Sequence, residues 1–283
     1  MEAAGWHLLS PLRTLWRVVS EGGDVCASLD LATSDHDTNS ATNVDAEDHT
    51  DVVHMGGRDS LGAVFASPEE FWLHELCGDS TSWYQRSGEF WQKEAATVHG
   101  MMGGLDQLHA LDVKSSAAFL ERLRALSTPL TKGVALDCGA GIGRISASLL
   151  LNHFAGVELL EPVASFVAKA MESLPEERVH AAYVERLERF TPAAGKAYSC
   201  VWVQWVLNYL TDDDLILFLH RCASALEPGG AIVVKESCSR PHNDRSDASI
   251  TRTAAHFRRC FDSAHLEVVA EQGQTSLPRE VFP

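Results

Sequence analysis

No run of eighteen or more apolar residues occurs in this chain of 283, so no helix is expected to cross a membrane. The seven cysteines are scattered, with no C-x-x-C pair and no histidine cluster at ligand spacing. That argues against structural zinc and for a reducing compartment, so a cytoplasmic or nuclear location is expected and no metal. Bases are also scarce, 23 Lys and Arg against 39 Asp and Glu, which leaves no broad basic face and disfavours a nucleic-acid partner. The deficit is uneven. Residues 1–82 hold 15 acids and 3 bases, whereas residues 83–283 hold 24 acids and 20 bases.

The acidic part reads as an appendage. From Gly22 to Gly62 the chain is rich in Asp, Ser, Thr, Gly and Asn, as in SDHDTNSATNVDAEDHTD, and cannot bury enough apolar surface to offset ordering entropy. It is expected to be disordered, with His36, His49 and His54 part of a solvated linker. The opening MEAAGWHLLSPLRTLWRVV carries two arginines and is amphipathic, but Glu2 and the acids that follow argue against a transit peptide. A short helix is predicted after Ser67-Pro68. The domain reading is therefore 1–82, acidic and largely disordered, and 83–283, a folded domain beginning in earnest at Trp83.

What the chain does have is a glycine-rich turn. The mostly apolar run from Val134 to Cys138 reads as a buried strand and enters Gly139-Ala140-Gly141-Ile142-Gly143, ahead of a helical pattern through Leu151. Glycine permits a tight strand-to-helix reversal and close approach of backbone to a ligand. A dinucleotide fingerprint would place Gly or Ala where Arg144 stands, so a nicotinamide cofactor is disfavoured. The Arg144 fork suits a carboxylate, which S-adenosylmethionine carries and which replaces any need for phosphate recognition. The next apolar run, Val157-Glu158-Leu159-Leu160, ends in Glu161, 22 residues after Gly139, where a second-strand acid meets ribose hydroxyls. A solvated loop acid is the plain alternative.

Around this turn, strand and helix patterns alternate. Helices are predicted from Trp83 to about Ala96, Ser115 to Leu126, Val163 to Leu174, Thr211 to Leu226 and Asp247 to His265, with Pro228-Gly229-Gly230 ending the fourth. Strands are predicted at His180 to Val184, Tyr198 to Trp205, Ala231 to Lys235 and Leu266 to Gln272, and a polar loop over 238–246. The fold class is a doubly wound, Rossmann-like α/β sheet, mostly parallel, with an N-terminal helical lid and its ligand at the carboxyl ends of the strands.

The segments LDCGAGIGRI, RLERFTP, VWVQWVLNYLTD, EPGGAIVVKES and LPREVF, together with GMMGG and the D-x-S-x-x-R run from Asp247 to Arg252, resemble the eukaryotic protein N-terminal methyltransferases. These methylate the α-amino group of proteins beginning X-Pro-Lys or X-Pro-Arg. The resemblance spans about Trp83 to Phe282 and implies S-adenosyl-L-methionine as cofactor and such protein N-termini as partners, with no membrane and a monomer or weak dimer. It puts Gly139, Gly141 and Arg144 at the amino-acid end of the cofactor, Glu161 at the ribose, Leu187 and Glu188 near the adenine, and Gln204 against the methionine moiety. Trp91, Met102, Trp205, Asp244 and Ser249 are implied for the substrate.

An α-amino group with pKa about 7.7–8.0 must lose a proton before it can attack a methyl group. Asp247 is the candidate base, with a helix N-cap as its alternative role. Ser237 stands where many relatives have an Asn that binds the substrate amine. Tyr209 stands where several have His, and it can hydrogen-bond without titrating near neutrality. Relatives also continue into a seventh strand that returns antiparallel between the fifth and sixth. A chain ending at Pro283 is expected to lack it and to be a truncated product. A small-molecule or side-chain amine methyltransferase, and an inactive binding protein of the same fold, are the competing readings.

Overall fold

The computed structural model describes residues 15–20, 56–77, 80–126, 130–239 and 241–274. In chain order the elements are β1 (Leu15–Ser20), β2 (Gly57–Asp59), β3 (Val64–Phe65), α1 (Pro68–Leu76), α2 (Thr81–Trp91), α3 (Val98–Met101), α4 (His109–Arg124), β4 (Val134–Cys138) and α5 (Leu151–His153). They continue with β5 (Gly156–Leu160), α6 (Ala164–Ser173), β6 (Val179–Tyr183), β7 (Tyr198–Gln204), α7 (Asp212–Ala223), β8 (Leu226–Lys235), β9 (His242–Asp244), β10 (Ser249–Thr251), α8 (Ala254–Ser263) and β11 (Leu266–Gln272).

Parallel strands need covered faces, and the strands here have them. Every residue of β5 and β7 is buried. Along β7 the side chains alternate: Val201 and Val203 pack with Leu136, Phe218 and Phe257, while Cys200 and Trp202 pack with Ala135, Leu159 and Phe119. Two apolar layers therefore sandwich one sheet. Its order is β11-β1-β8-β7-β4-β5-β6, and β8, β7, β4, β5 and β6 pair in parallel. The carboxyl ends of β4, β5, β7 and β8 thus share one edge, where the glycine turn and Glu161 lie.

Two helix predictions shift for stated reasons. The helix expected from Asp247 to His265 begins only at Ala254, where Thr253 accepts from His256 N, and residues before it form the antiparallel hairpin β9–β10. Asp247 lies in that hairpin's turn and caps no helix. Pro228-Gly229-Gly230 enters β8, where the register slips between Tyr198 and Cys200; a Cβ on Gly230 would stand 2.5 Å from the Tyr198 carbonyl oxygen.

The N-terminal part is the larger correction. Order does not wait for Trp83. Phe65 and Phe71 are buried in the same apolar layer as Trp83, Ser67 caps α1 by accepting from Glu70 N, and β2 pairs with β9 in a second sheet of order β10-β9-β2-β3. The boundary expected at residue 82 therefore cuts through packed structure. Residues 22–55, with His36, His49 and His54, and the segment LPREVF lie outside the described residues.

β1 runs antiparallel between β8 and β11. That is the place the seventh strand was expected to leave empty, and here it is filled from the other end of the chain. The unpaired edges on which the expectation of a truncated product rested are hydrogen-bonded.

Candidate active site

The turn after β4 is shaped by contacts a side chain would destroy. Gly139 and Ala140 donate to the Leu160 carbonyl at 2.8 and 3.1 Å, tying the turn to β5. Gly139 has φ 70° and a Cβ there would lie 2.8 Å from Val206; Gly141 has φ 53° and its Cβ would lie 2.7 Å from the Met101 sulfur. Glu161 closes the turn from the side, accepting from Gly141 N and Val163 N at 2.9 Å each. Burial pushes its carboxyl up to about 7, and that of Asp137, which accepts from Ser146, to about 6.

These groups line a pocket of about 1040 Å³, counted with its solvent-filled mouth. Gly139, Gly141, Arg144, Glu161, Leu187, Glu188 and Gln204, the residues carried over for the cofactor, all lie on its wall. So do Trp91, Trp205 and Tyr209. Arg186 pairs with Glu188 at 2.6 Å, yet burial still raises the Glu188 carboxyl.

Behind the wall formed by Arg144 and Gln204 lies a charged cluster centred on a residue the sequence did not reveal, Asp112 of α4, which is 1% exposed. One carboxylate oxygen accepts from Arg144 at 2.7 Å, the other from Lys235, and both from Gln204 at 3.0–3.1 Å. The burial of Asp112 is opposed by Lys235 and Arg144, which together hold its carboxyl below the usual range. Burial lowers the Lys235 pKa, against the pull of Asp112. His109, 3.0 Å from Arg144, adds no positive charge at neutral pH because burial and that guanidinium depress its pKa.

Trp205 carries a strained backbone, φ 55°, between these cations; Arg144 lies 5.4 Å and Lys235 5.7 Å from its ring centre. Three bonds hold the strain. Trp205 N donates to the Lys235 carbonyl at 2.9 Å, and the next two backbone N–H groups, Val206 and Leu207, donate to the Glu236 carboxylate at 2.6 and 2.7 Å. Burial pushes that carboxyl up to about 7.

On the opposite wall the Tyr209 ring meets Trp91 edge to face at 5.9 Å, and its hydroxyl donates to Asp247 Oδ2 at 3.2 Å. Burial and the Asp247 charge push the Tyr209 hydroxyl well above its ordinary value. Asp247 is 4% exposed, and burial lifts its carboxyl to about 6; its Oδ1 has no hydrogen-bond partner. Ala248 beside it has φ 55°, so the turn that presents Asp247 is itself strained.

Four residues named from the sequence sit behind this wall rather than on it. Asp247 reaches the pocket through Tyr209, and Ser237 is half-buried next to Glu236. Asp244 spends Oδ1 on the Ser246 amide and hydroxyl, and Ser249 pairs with Asp244 across the hairpin. Met102 is buried beside the pocket and does not line it. It packs with Leu108 and Trp205, and Met101 lines the pocket in its place. Asp112 was missed because it is defined by distant partners; it lies 92 residues from Gln204 and 123 from Lys235.

With this geometry in hand, similarity to known proteins adds a chemistry. Residues 79–283 match the family described as AdoMet dependent proline di-methyltransferase. The chain is 38% identical over 242 residues to alpha N-terminal protein methyltransferase 1 of Arabidopsis thaliana, spanning 80% of this chain and 87% of that protein. It is also 38% identical over 213 residues to N-terminal Xaa-Pro-Lys N-methyltransferase 1 of Mus musculus, spanning 74% and 95%. A solved structure of a SAM-dependent methyltransferase from Leishmania major superposes with a TM-score of 0.76 at 36% identity, covering 82% of this chain and 94% of that one. The glycine turn, the buried acid beyond it and the matched length agree, and the chain belongs to the AdoMet dependent proline di-methyltransferase family.

Proposed function

We propose that this protein transfers methyl groups from S-adenosyl-L-methionine to the α-amino group of proteins whose N-terminus reads X-Pro-Lys or X-Pro-Arg. The observation that carries the reading is Asp247, a buried carboxylate with a free oxygen, linked by the Tyr209 hydroxyl to an aromatic wall facing the pocket. The names of the Arabidopsis and mouse relatives support the same substrate class.

The pocket's own groups fit the cofactor. Arg144 lines the pocket with Asp112 and Lys235 buried behind it, so a carboxylate entering there meets the guanidinium fork. Glu161 offers a buried acceptor to hydroxyls, and Gly139 and Gly141 leave room that a Cβ would fill. Leu187 and Glu188 offer an apolar wall with one acceptor to a purine, and Gln204 turns its amide to the same end as Arg144. S-adenosylmethionine, when bound, supplies an electrophilic methyl group.

The remaining task is a proton. At neutral pH most of the substrate's α-ammonium is protonated. Asp247, with its carboxyl at about 6, is mostly ionised there and basic enough to take that proton through water. Tyr209 holds Asp247 in place without titrating. Trp91 and Trp205 enclose the nitrogen, and Ser237, Asp244 and Ser249 orient the residues behind it. Partners in this reading are proteins with exposed N-termini, met by a monomer or weak dimer in the cytoplasm or nucleus, without nucleic acid or membrane. The test is methyl transfer to a synthetic peptide beginning Ala-Pro-Lys, followed by mass spectrometry, against the same peptide N-acetylated. Modification of the free peptide alone is expected; equal labelling of the acetylated peptide, or none of either, would refute it.

A further inference from the structure

β1 has an unusual position for an N-terminal segment. It lies inside the sheet, paired with β11 from Leu15–Gln272 to Ser20–Leu266 and with β8 from Leu15–Lys235 to Val18–Ile232. All its ladder partners are distant in sequence, and the next described strand, β2, begins at Gly57. Between β1 and β2 the chain runs through residues 21–56, outside the described residues up to 55. What holds β1 is the double ladder. Without it, the facing edges of β8 and β11 lose their partners along a stretch where Ile232, Val233 and Val234 are fully buried.

We propose that the cleft between β8 and β11 is a strand-acceptor site, and that its resident is the chain's own segment 15–20. The ligand class is an extended peptide that runs antiparallel to both walls and satisfies backbone groups on each side. The site bears on the pocket because its β8 wall ends at Lys235, which pairs with Leu15 in the ladder and with Asp112 through its side chain. The next residue, Glu236, holds the Val206 and Leu207 amides. An occupied cleft therefore fixes the strand end from which the pocket's charged cluster and strained loop are hung.

The test uses the full-length chain with a site-specific protease sequence replacing residues 36–42. After cleavage the N-terminal fragment should co-elute with the rest in size exclusion, at the mass of one chain, and exchange slowly with a labelled peptide of residues 11–22. Arg17→Pro removes a ladder donor in mid-strand; it should release the fragment and lower Tm by about 5–10 °C, while Arg17→Ala, which keeps the donor, retains it. A fragment that elutes apart from a protein of unchanged Tm would overturn the proposal. So would an uncut dimer that cleavage turns into monomers, which would make a second copy the donor. Both readouts are binding and melting, so they stand apart from the outcome of the methylation assay.

Discussion

Replacing Asp112 by Asn keeps the shape of the side chain and removes the anion that pairs with both Arg144 and Lys235. The three side chains are 1%, 7% and 3% exposed, so water cannot take over the work of the lost charge. Breaking a buried ion pair from one side typically costs about 3–5 kcal/mol, because the partners stay buried without compensation. For a folded part of this size each kcal/mol lowers Tm by about 2–4 °C, so Asp112→Asn should melt roughly 6–20 °C below the wild type. The sign with pH follows from the depressed carboxyl of Asp112: its contribution is full above the ordinary Asp range and fades as pH falls through its lowered value. The part of the difference that comes from the Asp112 carboxylate should therefore be flat from pH 5 to 8. A ligand carboxylate can replace the missing charge. S-adenosylhomocysteine should raise Tm more in Asp112→Asn than in the wild type, and methylthioadenosine, which has no carboxylate, should show no such excess. Differential scanning fluorimetry reads both. Equal melting of the unliganded proteins, or the same ligand increment in each, would refute the account of the charged cluster.

Two further substitutions test other walls of the pocket. Asp247→Asn should lower kcat by about 10²–10⁴-fold while leaving the calorimetric affinity for S-adenosylhomocysteine within twofold, since proton removal is needed only for transfer. The wild-type rate should climb as pH rises through about 6, where Asp247 ionises, and the variant should lose that limb. Gly139→Val puts a Cβ 2.8 Å from Val206 at a backbone φ of 70°, and should abolish measurable cofactor binding; titration at wild-type affinity would mean the turn does not form the ligand wall.

How much of this was legible in the sequence depended on whether a feature's cause is local. The strands Val134–Cys138 and Leu266–Gln272 were readable to the residue, the first because burial writes itself into a run of mostly apolar side chains. Glu161 was found because its distance from the glycine turn is fixed by one helix and one strand. The helix start at Thr211 was legible for the same reason, since the Thr211 hydroxyl accepts from Asp214 N, three residues on. The hairpin from His242 to Thr251 was not. Its polar residues carry no period, and its second partner, β2, lies far upstream in a stretch whose composition hides it. Asp112 is the sharper case within the site. Nothing near it in sequence distinguishes it from any acid on an amphipathic helix, and its role is created by Arg144, Gln204 and Lys235 arriving from three strands' ends. The same logic explains β1. The residues LWRVVS could be read as the end of an amphipathic segment, because a six-residue strand is specified by what pairs with it more than by its own pattern. A doubly wound sheet leaves one position to be filled antiparallel beside the strand that carries Lys235 and Glu236. That position asks only for an extended segment of the right polarity, and either end of a chain can deliver one.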